Sequence, residues 1–156
     1  MSGAPVFPTY RGRTMGIVVL TAAQSFIGIV HVFFGIWLLS AGSSASIFSD
    51  QPSLVYDIYT LVFGVLTLIS AYGIWRGNRW GWLGSVAVSI FVIVADSLTL
   101  LDLPSIPGIP KFAGAGEIVY SLGVLLYLFQ KHVRTKYDAL GRRAKATTNS
   151  SLTGET

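Results

Sequence analysis

The chain has 156 residues, of which 52% are hydrophobic and only 12% charged, whereas soluble domains carry roughly 25% charged residues. One small core could not bury so much apolar surface, so the composition excludes an ordinary soluble domain and indicates a membrane protein. The absence of cysteine excludes disulfides, thiolate metal sites and a cysteine nucleophile. The net charge of +4 comes from Lys and Arg beside apolar runs, which favours membrane topology over nucleic-acid binding.

The first apolar run predicts a membrane-spanning helix. Residues 1–14 form a short basic leader without apolar periodicity, and residues 15–39 carry no formal charge. A helix of about 25 residues exceeds the ~30 Å hydrocarbon core at roughly 1.5 Å per residue. A cleaved secretory signal is the alternative, because basic residues precede the run and small residues follow it at 40–45. Signal cores are usually about 7 to 15 residues long, which favours an uncleaved helix.

Three further spans are predicted, at 54–75, 80–101 and 112–130. A Ser-rich loop at 40–53 precedes them, and a segment with three prolines, 102–111, separates the last two because proline cannot continue a helix. Residues 132–156 are basic and polar, which predicts a disordered tail. The sequence therefore predicts an all-α, polytopic membrane protein. Its transmembrane domain, 15–131, is expected to form four helices in an antiparallel bundle of two hairpins.

The basic residues predict the orientation of the bundle. Ten of them fall on one predicted side of the membrane: Arg11, Arg13, Arg76, Arg79, Lys131, Arg134, Lys136, Arg142, Arg143 and Lys145. Only Lys111 falls on the other side. The positive-inside rule then places both termini and the central hairpin in the cytoplasm, with the protein in the cell membrane.

A short basic turn joins the second and third spans. Arg76 and Arg79 are too costly to leave in hydrocarbon, and Gly77-Asn78 is expected to supply the positive-φ residues of a tight turn. Tryptophan favours the headgroup region, where its ring lies in lipid and its N–H meets water. The predicted interface anchors are Trp75, Arg76, Arg79, Trp80 and Trp82.

The same turn carries a resemblance to known proteins. The sequences YGIWRG at 72–77 and RWGW at 79–82 resemble those of small, uncharacterised four-helix integral membrane proteins of bacteria and archaea. The resemblance covers the second and third helices and is looser elsewhere. It implies a four-helix fold and a membrane location, and it brings no catalytic residues.

Each span has a stripe of small or weakly polar residues at alternating spacings of three and four, which is typical of the seam of a left-handed bundle. The stripes are Gln24, Gly28, His31 and Gly35; Asp57, Thr60, Gly64, Thr67 and Ala71; Ser85, Ser89, Val92, Asp96 and Thr99; and Gly116, Tyr120, Gly123 and Tyr127, with Glu117 beside the last. We expect these faces to pack against one another.

Four ionisable residues fall in the predicted outer half of the membrane, namely His31, Asp57, Asp96 and Glu117. Ionisable side chains there cost several kcal/mol unless they are paired, hydrated or neutral. Two interpretations stay open. The four could form a proton-, cation- or metal-binding cluster, or they could belong to a structural polar network. In the second case Asp57 and Glu117 would be ordinary helix-start acids stabilised by the helix dipole.

Two functions remain after the motifs are considered. The sequence has no phosphate-binding loop, no His-x-x-x-His pair and no Gly-x-Ser-x-Gly elbow, so we predict neither an enzyme nor a cofactor, and we assign no metal site. The first function is that of an accessory or structural subunit, in a larger membrane complex or a homo-oligomer within the lipid bilayer. The alternative is a small transporter, channel or proton- or cation-binding protein that uses the four ionisable residues.

Overall fold

A computed structural model of the chain describes residues 9–10, 13–41 and 53–137. The elements are β1 (Thr9–Tyr10), β2 (Arg13–Thr14), α1 (Met15–Ala41), α2 (Leu54–Trp75), α3 (Arg79–Leu100) and α4 (Lys111–Leu128), followed by helical residues 131–137, here called α5. Helices α1 to α4 are long and apolar enough to cross a membrane, by length and composition. The predicted all-α architecture of four packed helices is therefore confirmed, with every helix end within two residues of its predicted position.

Within the predicted leader, β1 and β2 pair antiparallel just before α1, with Thr9 opposite Thr14. Residues 1–8, the Ser-rich loop from 42 to 52 and the tail from 138 to 156 lie outside the described residues. We call the end of the bundle that holds the α2–α3 turn the hairpin end. The opposite end, where α2 and α4 begin, is the loop end.

A Schellman motif makes the α2–α3 turn. Gly77 has a φ of 72°, its N–H donates to the carbonyl of Ile74 at 2.9 Å, and the N–H of Asn78 donates to the carbonyl of Gly73 at 2.8 Å. The prediction of a positive φ at Asn78 is wrong, because this residue is the N-cap of α3. Its φ is −83°, and its side chain accepts a hydrogen bond from the backbone N–H of Trp80.

Glycines allow α1 and α2 to pack with their backbones in contact. A Cβ added to Gly64 would lie 2.7 Å from the backbone nitrogen of Val32 and 2.9 Å from the carbonyl oxygen of Gly28. A Cβ at Gly35 would lie 2.8 Å from the backbone of Leu61. The first hairpin therefore depends on small residues at the stripe positions of α1 and α2, as close helix packing in lipid requires.

The predicted stripes of α1, α2 and α3 face the bundle interior, but the predicted stripe of α4 is only half correct, because Tyr120 and Tyr127 pack against the buried core and its two glycines do not. Gly116 and Gly123 are exposed, and open space surrounds the position of an added Cβ at both. The buried residues of α4 are instead Gly114, Ser121, Val124 and Leu128. Val124 and Leu128 set this register because they fill the apolar core at the hairpin end.

That core also corrects the predicted tail. Val133 and Tyr137 of α5 are only 1% and 2% exposed, and they pack with Ile17, Leu20, Ile74, Val124 and Leu128. The Tyr137 hydroxyl donates to the carbonyl of Ile74 at 3.0 Å. Residues 132–137 are thus part of the folded domain. We call the buried cluster of Ile17, Leu20, Ile74, Val124, Leu128, Val133 and Tyr137 the hairpin-end plug.

Candidate functional site

Three of the four predicted site residues meet inside the loop end of the bundle. His31 of α1 and Glu117 of α4 are in contact, with 3.3 Å between Nε2 and Oε1. Asp96 of α3 is fully buried, and its carboxyl group lies beside that of Glu117 and within electrostatic reach of the His31 ring. Glu117 therefore stands between a base and a second acid.

The hydrogen bonds of His31 define where its protons lie. Nδ1 is 2.9 Å from the carbonyl oxygen of Ile27, one helical turn earlier. Because a carbonyl oxygen only accepts, Nδ1 is the donor and carries a hydrogen. The contact between Nε2 and the Glu117 carboxylate then requires one further proton, held by either partner. This pair is a site for a single exchangeable proton.

Asp96 is buried beside a second acid, Glu117. Neither of its carboxylate oxygens, nor Oε2 of Glu117, has a hydrogen-bond partner within the described ranges. Gly114 of α4 covers it, and a Cβ added at Gly114 would be in ordinary van der Waals contact with Asp96, 3.4 Å from its Cβ. A buried carboxylate without a donor or counter-ion is costly by several kcal/mol. Asp96 and Glu117 together therefore need a proton or a cation.

Asp57, the fourth predicted site residue, is not brought into this group. It is 4% exposed, and its backbone N–H donates to the carbonyl of Ser53 at the start of α2. Within the part of the chain that the structure describes, no hydrogen bond or ion pair joins its carboxylate to His31, Asp96 or Glu117. This position fits the alternative in which Asp57 is a helix-start acid near the positive end of the α2 dipole.

A cavity of about 370 Å³ lies against the His31–Glu117 pair, between α1, α2 and the start of α4. Its aromatic lining residues are Phe34, Tyr56, Phe63, Phe112 and Tyr120. The Phe63 ring meets His31 edge-on, with 4.8 Å between ring centroids. This lining was not predicted from the sequence. Phe34 and Tyr120 carried a signal for it, because each lies three positions after His31 or Glu117; Tyr56, Phe63 and Phe112 had no such spacing.

Polar side chains continue from this site into the middle of the bundle. Gln24 of α1 donates to the Ser85 hydroxyl of α3 at 3.0 Å, and both are buried. They border a small cavity of about 10 Å³ that Thr67, Ser89 and Ser121 also line, which is close to the volume needed for one water molecule. Beyond this level the hairpin-end plug is apolar apart from the bonded Tyr137 hydroxyl.

The predicted anchors at the hairpin end fall into two groups. Arg76, Arg79 and Trp80 are exposed, Trp80 to 77%, and Trp75 is half-buried. Trp82 differs from the prediction because it packs inside the protein. Its indole N–H donates to the carbonyl of Leu128 at 3.2 Å, so it fastens α3 to the end of α4.

The donor set of the candidate site limits its chemistry. In the described segments, no group of three or more His, Asp and Glu side chains is arranged to hold a metal ion. Comparisons with models of protein families, with curated proteins and with solved structures gave no match. The resemblance carried by residues 72–82 therefore stays a prediction.

Proposed function

We propose that this chain is a small proton-coupled membrane protein of the transporter class, in which His31, Glu117 and Asp96 bind and release protons. The observation that carries the proposal is the hydrogen bond from Nδ1 of His31 to the carbonyl oxygen of Ile27. Because Nδ1 is occupied as a donor there, the contact between Nε2 and Oε1 of Glu117 depends on one further proton. Asp96, buried beside Glu117 without a donor in the described segments, supplies a second proton-binding group. This develops the alternative of the two functions that the sequence left open.

Access to the site supports exchange with one side of the membrane. The cavity beside His31 and Glu117 lies at the loop end, whereas the plug closes the hairpin end. Protons released from the site therefore leave toward the loop end in this conformation. A transport cycle requires a second conformation in which the plug opens, as alternating access demands.

The proposed orientation places the loop end outside the cell membrane and both termini in the cytoplasm. Its support is the distribution of charge, since the described Lys and Arg residues other than Lys111 lie at the hairpin end, and basic residues favour the cytoplasmic side. Protons would then reach His31 from the outside.

Nuclear magnetic resonance of the two histidines tests the proton site. In ¹⁵N-histidine-labelled protein, His132→Gln leaves His31 as the single labelled side chain. We expect Nδ1 to stay protonated while Nε2 changes over a pH titration, and Glu117→Gln to alter that titration. Asp57→Asn, which removes an acid outside the group, is the matched control. A pH titration of His31 Nε2 that is the same in Glu117→Gln as in the unmodified protein would refute the shared proton.

The accessory or homo-oligomeric role remains the second candidate, and one observation favours it. Gly116 and Gly123 lie on the exposed face of α4 with open space above them, and small residues allow another helix to approach closely in lipid. Extraction in mild detergent followed by native mass measurement tests this role. A strictly monomeric particle with no co-purifying protein would contradict it.

A further inference from the structure

The cavity at the loop end combines two features that recognise one class of ligand. Five aromatic rings line it, and aromatic faces attract organic cations through the ring quadrupole. The polar side chains include the Glu117 carboxylate and its partner His31, and no Lys or Arg belongs to the described lining. The lining therefore favours positive over negative charge.

We propose that this cavity binds lipophilic cations, ammonium or phosphonium ions with apolar substituents, in exchange for the proton shared by His31 and Glu117. The proposal rests on the proton site of the proposed function. The volume of about 370 Å³ lies at the lower end of the roughly 300–1,000 Å³ of small-molecule sites. Phe112 at its edge is 69% exposed, so an apolar substituent can enter from the lipid beside the start of α4.

Charge balance makes proton and cation alternatives. With the shared proton in place, His31 and Glu117 are neutral as a pair; without it, a neutral imidazole faces a carboxylate. A bound monovalent cation restores the same charge, so one proton leaves Nε2 or Oε1 for water at the loop end as one cation binds. No bond other than the N–H or O–H changes.

Several titratable groups surround Glu117 and bear on the pH dependence of cation binding. They come from all four helices of the bundle: His31 from α1, Tyr56 and Tyr59 from α2, Asp96 from α3 and Tyr120 from α4. Only His31 among them becomes cationic, and two acids face it. Lowering the pH therefore adds competing protons, and the affinity for a permanent cation should fall.

Tetraphenylphosphonium and tetraphenylborate provide a matched pair of probes, because they have similar size and opposite charge. With the full-length protein in lipid nanodiscs, we expect saturable tetraphenylphosphonium binding, weaker at low pH, with release of about one proton per cation in weak buffer. Tetraphenylborate should not compete. Glu117→Gln should weaken binding at least about tenfold, the effect of roughly 1.4 kcal/mol, and Asp57→Asn should leave it unchanged.

Two results would overturn the inference. The first is tetraphenylphosphonium binding that is independent of pH in the unmodified protein, and the second is competition by tetraphenylborate as strong as competition by unlabelled tetraphenylphosphonium. The pH series uses no variant, so it decides the matter even if Glu117→Gln fails to fold. The His31 titration separates the two proposals. If His31 still responds to Glu117→Gln while no cation binds, the lipophilic-cation site fails and the proton site stands.

Discussion

Replacing Asp96 by Asn should stabilise the protein, and the gain should increase with pH. Asp96 is 0% exposed, and its two oxygens have no hydrogen-bond partner in the described segments. An unsatisfied buried group costs about 1–3 kcal/mol. Asn has nearly the same size, so the change leaves no cavity, and its N–H can donate to the unpaired Oε2 of Glu117.

The expected gain in the free energy of unfolding is about 1–2 kcal/mol at high pH. This is the lower part of the range for an unsatisfied buried group, because hydrogen bonds between membrane helices average only about 0.6 kcal/mol. At low pH the gain should vanish, since the amide then resembles a protonated carboxyl group. Thermal unfolding in mild detergent, followed by tryptophan fluorescence, measures it. Asp102→Asn is the control, because its ion pair with Lys111 is exposed and worth about 0–1 kcal/mol. A loss of stability in Asp96→Asn would refute the reasoning.

Three further predictions concern packing and topology. Gly64→Ala should lower the free energy of unfolding by about 1–3 kcal/mol, because its Cβ would lie 2.7 Å from the backbone of Val32, whereas Gly123→Ala on the open face should not lower it; equal effects would contradict the α1–α2 seam. Tyr137→Phe should cost about 1 kcal/mol through loss of the buried bond to Ile74, and an unchanged unfolding temperature would contradict the packing of α5. A reporter that is active only in the cytoplasm should be active when it is fused to the C-terminus, and a reporter that is active only outside the cell should be inactive there; the opposite pattern would contradict the proposed orientation.

The helices and the α2–α3 turn could be predicted because their signals are local. Run length defines a span when charged residues are absent, and Gly77 followed by Asn78 supplies both the left-handed residue and the N-cap. The meeting of His31, Asp96 and Glu117 followed from counting turns from each predicted helix end. Asp57 also faces the bundle interior, but a shared depth and an interior face do not define which side chains of the neighbouring helices it meets.

The rotation of α4 could not be predicted from small residues alone. Glycine is tolerated on a lipid-facing surface as well as in a helix seam, so its spacing alone does not distinguish the two. Gly116 and Gly123 therefore match a packing stripe although they are exposed. The signal for α5 was present in Val124, Leu128, Val133 and Tyr137, whose spacing continues an apolar face past the end of α4. The neighbouring Lys and Arg residues hid it, because their charge indicated a solvated tail.

The acidic and basic side chains of the described residues lie toward opposite ends of the bundle. This separation bears on the end at which the proposed cation would bind. Asp57, Asp96, Asp102 and Glu117 lie toward the loop end, and Lys111 is the single Lys or Arg described there. Lys111 is already paired with Asp102 at 2.7 Å, so it neutralises none of the buried acids. Low-dielectric surroundings extend the reach of unscreened charge. Glu117 is the acid that lines the cavity, and in the proposed function the basic hairpin end would oppose the passage of protons and organic cations. The proposed exchange of one monovalent cation for one proton would carry no net charge past this basic end, so the charge separation along the bundle is compatible with it.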